Sequence, residues 1–119
     1  MTDKELEKFV RSDNPWERAR AARNGYGLDI LVHDKAPIVR VEVARQGYRP
    51  DILVHDDYYL VRKGVAESGN CLDILINDND EDVRRAVART GYKARELLRD
   101  YDSEVRLIAL DILLEKGEI

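Results

Sequence analysis

Two sets of side chains in this sequence carry charge at a spacing that could do chemistry. Arg18, Arg40, Arg62, Arg84 and Arg106 stand twenty-two residues apart, a ladder of guanidinium groups with the regularity needed to follow a phosphate backbone. Aspartates recur in step with them, at Asp34, Asp56, Asp78 and Asp100. The ladder therefore reads better as bidentate Arg–Asp pairs that fix the register between successive units. The second set is Arg84, Arg85, Arg89, Lys93, Arg95 and Arg99, six cations in a sixteen-residue window holding one acid, Glu96. It is the candidate surface for nucleic acid. Because Asp78, Asp80, Glu81 and Asp82 precede it, acids fall at the start of a helix and cations towards its end. The helix dipole favours that sorting in any solvated helix.

Other chemistry is thinly represented. His33 and His55 repeat at the same step, but the series continues as Asn77 and Arg99, so no metal site is expected. The single cysteine, Cys71, can form neither an internal disulfide nor a cysteine cluster and reads as a small core residue. No nucleophile stands near a base at motif spacing, no glycine-rich phosphate loop is present, and scattered carboxylates do not make an acid–base pair. The expectation is a non-catalytic chain without cofactor or metal. A net charge of −4 argues against a bulk electrostatic grip on nucleic acid and leaves room only for a local patch. No basic and apolar leader and no apolar run of the ~18 residues that a membrane span needs is found. A cytoplasmic protein that does not enter a membrane is expected.

The elements that must position these residues come from the repeat itself. Ala22, Ala44, Ala66 and Ala88 keep the twenty-two-residue step, as do Gly25, Gly47, Gly69 and Gly91 and then Leu31, Leu53, Leu75 and Leu97. A fixed period of this size marks a solenoid, whose units bury their apolar faces only against one another. The 119 residues divide as a single repeat domain: an N-terminal cap over 1–11, four units over 12–99 and a C-terminal capping helix over 100–119.

Within each unit, Ser12, Asp34, Asp56, Asp78 or Asp100 is expected to cap a long helix. Pro15 and Pro37 then fall in the first turn, and Glu81 forms a capping box with Asp78. The helix is expected to run about twelve residues to a glycine at C′. The next residue packs back on the last turn, pairing Tyr26 with Ala21, Tyr48 with Val43 and Tyr92 with Val87. The LDILV, PDILV and LDILI segments read as single helical or 3₁₀ turns that plug the core. Thr2 and Glu5 have capping-box spacing for a first short helix. In the last unit the helix should continue from Ser103 to Lys116. Ile108 and Ile112 form a stripe on it that either folds inward, the preferred placement, or leaves the monomer a surface for weak homodimerisation.

The order acid, Val-Arg, Ala-Arg and Gly, as in Asp34, Val39-Arg40, Ala44-Arg45 and Gly47, resembles the HEAT-like families and is most like the leucine-rich variant repeat. The resemblance runs from about Ser12 to Leu114. It implies an all-α, right-handed α-solenoid in which a helix alternates with a short 3₁₀ helix. The period here is shorter than the usual one, and the cysteines of the iron–sulfur centre found in some relatives are absent, so that role does not carry over. The resemblance implies binding to macromolecules. A few relatives are DNA glycosylases, but nothing here singles out a catalytic acid.

One asymmetry breaks the repeat. Trp16, Ile38 and Leu60 share a position that becomes Asp82 and Glu104 in later units, and Tyr58 and Tyr59 lie beside it. Aromatic residues at exposed helix starts are typical interface anchors, although the same residues could pack between neighbouring helices. The functional expectation is a repeat scaffold that binds another protein through Trp16, Ile38, Tyr58, Tyr59 and Leu60. The alternative is a nucleic-acid-binding module that uses the basic face from Arg84 to Arg99.

Overall fold

The computed structural model describes residues 1–119 and contains ten helices and no strand. Five are long: α2 (Pro15–Arg23), α4 (Pro37–Arg45), α6 (Tyr59–Glu67), α8 (Glu81–Arg89) and α10 (Ser103–Glu115). Between them lie four one-turn helices, α3 (Leu28–Leu31), α5 (Pro50–Leu53), α7 (Leu72–Leu75) and α9 (Ala94–Leu97), and α1 (Asp3–Phe9) precedes them all. Each long helix packs against the next long helix, and α3, α5 and α7 lie against the long helices on either side. The molecule is accordingly elongated, 51 × 27 × 20 Å.

Nine-residue helices are too short to persist alone in water, so their stability must come from what they bury. The buried positions are the periodic ones. Val39, Val43, Val61, Val65, Val83, Val87 and Val105 are fully buried, and Leu31, Leu53, Leu75 and Leu97 fill the space from the short helices. Tyr26, Tyr48 and Tyr92 lie half-buried against this core. At the first helix end, the Gly25 and Tyr26 amides donate to Ala22 and Ala21 carbonyls at 2.9 Å each, a Schellman ending that requires the left-handed Gly25 (φ +82°).

Three local expectations change. The long helices begin later than the sequence suggests, with Asn14, Ala36, Tyr58, Asp80 and Asp102 as their N-caps, and α2, α4, α6 and α8 run nine residues rather than about twelve. The expected caps do other work. Asp34, Asp56, Asp78 and Asp100 accept through Oδ1 from the amide two residues on, as Ser12 does through Oγ, which turns the chain into the helix. For the same reason Glu81 forms no capping box with Asp78: Asp80 takes the cap and accepts from the Asp82 amide.

The short helices are also α turns rather than 3₁₀. Leu31, Leu53, Leu75 and Leu97 each donate to the carbonyl four residues back. An α turn puts residues three and four apart on one face, so Leu28 turns to the core together with Leu31 and Val32, and Leu72 together with Leu75 and Ile76.

The two ends follow the sequence more closely. The Thr2–Glu5 capping box forms, and Leu6 and Val10 of the first segment are buried. The last helix begins at Ser103 and ends one residue before Lys116. Ile108 and Ile112 turn inward against the core, and the exposed apolar residues of α10 are instead Leu107 and Leu114.

Candidate functional site

Four of the five regular arginines are consumed by structure. In Arg18–Asp34, Arg40–Asp56 and Arg62–Asp78 the arginine Nε donates to Oδ2 at 2.8 Å and Nη2 to Oδ1 at 3.2 Å. Arg84–Asp100 repeats the geometry at 3.0 and 3.3 Å. The remaining nitrogen, Nη1, donates to the backbone carbonyl of Ser12, Asp34, Asp56 or Asp78 at the head of the arginine's own unit. Each guanidinium thus ties the start of its own unit to the start of the next, and none of these four is free to hold a phosphate.

The variable position behaves differently. Trp16, Ile38 and Leu60 project from the starts of α2, α4 and α6, and with Tyr58 they line a groove of about 540 Å³ across the three helices. Pro37 and Val41 complete its apolar lining. Trp16 is 68 % exposed, unusual for a tryptophan, which is highly buried on average. The fifth residue singled out in the sequence, Tyr59, is absent from the groove lining. It packs on the core, with its ring edge-to-face on Tyr58 at 5.5 Å between centroids.

The groove also has a polar floor that the sequence did not point to. Glu42 is 7 % exposed, a buried acid outside the arginine–aspartate ladder. Its Oε1 accepts from Arg23 Nη2 at 3.2 Å and Arg45 Nη1 at 3.5 Å, while Arg45 Nε reaches Glu67 at 3.3 Å. Both arginines line the groove and stay substantially exposed, so the apolar walls are framed by two cations over one sunken carboxylate. Gly64 sets the closeness of the helices here: a methyl group on it would stand 3.0 Å from Ala44 Cβ and 3.2 Å from the Val41 carbonyl oxygen. The only sequence signal for Glu42 was an acid at a register position otherwise held by Arg20, Gly64, Ala86 and Ile108.

Farther along, charge closes the same outer face. Asp82, standing where Leu60 stands one unit earlier, accepts from Arg85 Nη1 at 3.0 Å. Arg85 also holds Asp102 in a bidentate pair at 2.8 and 3.0 Å. The guanidinium lowers the Asp102 carboxyl to about 2, and the carboxylate in turn raises Arg85.

Of the six cations from Arg84 to Arg99, Arg84 and Arg85 are therefore engaged by carboxylates. Arg89, Lys93, Arg95 and Arg99 remain exposed, with Lys93 over the Tyr92 ring at 5.4 Å and Arg95 donating to the Glu118 carbonyl. His33 and His55 are exposed, and no three His, Cys, Asp or Glu side chains come together in a way that could hold a metal ion. Cys71 is half-buried, and burial pushes its thiol up, away from the reactive thiolate. No helix is long and apolar enough to cross a membrane. Compared with family models, with curated proteins and with solved structures, the chain has no match in any of the three.

Proposed function

We propose that the row of long helices is a right-handed α-solenoid of the HEAT-like, leucine-rich-variant kind, and that it serves as a non-catalytic scaffold binding another protein in the Trp16–Leu60 groove. The observation that carries this reading is the exposed Trp16 at the edge of an apolar groove with arginines on its rim. Interface energy concentrates in buried aromatic anchors and arginines surrounded by residues that exclude water. The first four rungs of the arginine ladder are spent inside the fold. The four exposed cations on and near α9 support the weaker reading of a nucleic-acid surface.

Selection of displayed random peptides tests the two together. Peptides enriched on the native chain should be lost on a Trp16→Ala, Leu60→Ser variant and kept on an Arg89→Gln, Arg99→Gln variant. Enrichment that ignores the groove substitutions would sink the interaction reading. The nucleic-acid reading requires single- or double-stranded oligonucleotides to bind with an affinity that falls steeply between low and moderate salt, and requires the Arg89→Gln, Arg99→Gln variant to lose that binding.

A further inference from the structure

The surface that α10 turns away from the core repeats a surface that, in the earlier units, holds the next helix. The contact of α4 with α6 defines that surface: the close neighbours of Gly64 are Ala44, the Val41 carbonyl and the Arg45 side chain. One repeat step is twenty-two residues, so the corresponding residues of α10 are Leu110, Leu107 and Asp111. Where Ala22, Ala44, Ala66 and Ala88 are buried, Leu110 is half-buried, and Leu107 and Leu114 are 50 % and 54 % exposed. Beside them stands Arg106, the fifth arginine of the ladder. Its Nη1 donates to the Asp100 and Tyr101 carbonyls at 2.7 and 3.1 Å, nearly matching Arg62 on Asp56 and Asp57 at 2.8 and 3.2 Å. Arg62 uses its Nε and Nη2 edge to hold Asp78, whereas the same edge of Arg106 holds no carboxylate.

The opposite end of the row is built otherwise. Ser12 replaces the aspartate there, Glu17 takes the place of Val39, and the Ser12 hydroxyl donates to the Glu17 carboxylate. The Ser12 end thus presents polar side chains where the α10 end presents leucines.

We propose that the outer face of α10 is a docking site for one further helix, supplied by a partner protein and led by an aspartate three residues before its first turn. The aspartate fills the open edge of Arg106 in the manner of Asp34, Asp56, Asp78 and Asp100. Leu107, Leu110 and Leu114 take the apolar side of the helix, with a small residue opposite Leu110. Asp111 stands where Arg45 meets Glu67, so the incoming helix carries a base at that point. A second copy of this chain is a poor occupant, because its corresponding end offers Ser12 without a carboxylate and sets Glu17 towards the leucines. The site lies outside the Trp16 groove and does not depend on what that groove binds.

Residues 78–99 of the chain itself supply a probe with the required chemistry: Asp78 leads, Ala86 is small and Arg89 is the base. Appended to the full chain by a flexible Gly/Ser linker, a second copy of this segment gains an effective concentration in the millimolar range, so that weak docking becomes visible. Hydrogen exchange should find the amides of the appended helix slowed by more than about tenfold against the free peptide. Asp78→Asn in the appended copy alone, or Arg106→Ala in the host, should abolish the protection while leaving host amides unchanged. Exchange at free-peptide rates would overturn the proposal, and so would protection that survives both substitutions. Sedimentation of the chain without the appended copy provides the remaining check: a concentration-dependent dimer abolished by Leu107→Ser, Leu114→Ser would give the face to a second copy and also overturn it.

Discussion

The first three long helices and the last two share an inner face and differ on their outer one. Between Trp16 and Leu60 the helix starts carry apolar side chains around a groove, with a buried Glu42 between two arginines. From Asp82 onward the same position is acidic, and Arg85 clamps Asp82 and Asp102 over it. The backbone barely registers the change: α4, α6 and α8 are each nine residues long and end at equivalent places. Inner positions are held to the period by packing against two neighbours, because a buried side chain that changes volume costs stability in both units it touches. Outer positions answer only to what approaches from solvent, which is why the repeat can break there.

If the two regions truly share an inner layer, core truncations should cost the same in each. Leu53→Ala under the groove and Leu75→Ala under the charged face each empty a site 1 % exposed, and each should lower stability by about 2–5 kcal/mol. Urea unfolding of the two variants checks this. Costs that differ by more than about 1 kcal/mol would mean the halves are packed differently after all.

The ladder gives the next contrast. Arg62 is a closed rung, with its side chain 15 % and that of Asp78 7 % exposed, so Arg62→Ala leaves a nearly buried carboxylate without its partner. A loss of about 2–3 kcal/mol is expected, below the ~3–5 kcal/mol of a fully buried pair because some water reaches it. Arg106→Ala removes an exposed side chain with only carbonyl partners and should cost under ~1 kcal/mol. Equal losses in urea titrations would show that the ladder stabilises through its carbonyl contacts and not through the aspartates.

Acid should separate the two outer faces. The Asp102 carboxyl is held near about 2 by Arg85, below the ~3.9 of an unfolded aspartate. A depressed folded pKa contributes stability that is fully present above the unfolded value and lost as pH falls through the folded one. The charged face therefore loosens between about pH 4 and pH 2, and Arg85→Ala should flatten that part of the stability profile. Unfolding midpoints recorded across this window for the native chain and the variant test it, and an unchanged slope would remove the pair from the acid response.

The period was legible because it is written in side chains that packing holds fixed, such as Val39, Val61, Val83 and Val105. The arginine–aspartate register was legible for the same reason. The helix starts were misplaced by two residues because an aspartate before a helix looks like a cap by type. The distances show instead that the carboxylate accepts from the amide two residues on, so the helix starts after that turn. The left-handed Arg49, Cys71 and Lys93 ahead of the short helices were invisible, since none is a residue type that favours that region. Trp16, Ile38, Tyr58 and Leu60 could be picked out along the chain as a break in the repeat. That Glu42 lies beneath them and Tyr59 behind is a fact of distances between helices, which no spacing encodes.

The smallest expected effect bears most directly on the contrast between the two faces. Trp16 is the single tryptophan and is 68 % exposed, so Trp16→Ala should change stability by no more than ~0.5 kcal/mol. A residue kept for packing would behave otherwise: truncating a buried tryptophan costs about 3–5 kcal/mol. The same indole reports on the groove, because its emission in the free chain should be that of a solvated ring, readily quenched by iodide. An occupant seated between Trp16 and Leu60 should shift that emission to the blue and shield it. The same occupant offered to a Leu60→Asp variant, whose outer face copies that of α8 at this position, should leave the emission unmoved. A blue shift that persists in Leu60→Asp would place the occupant elsewhere and erase the distinction between the open face and the closed one.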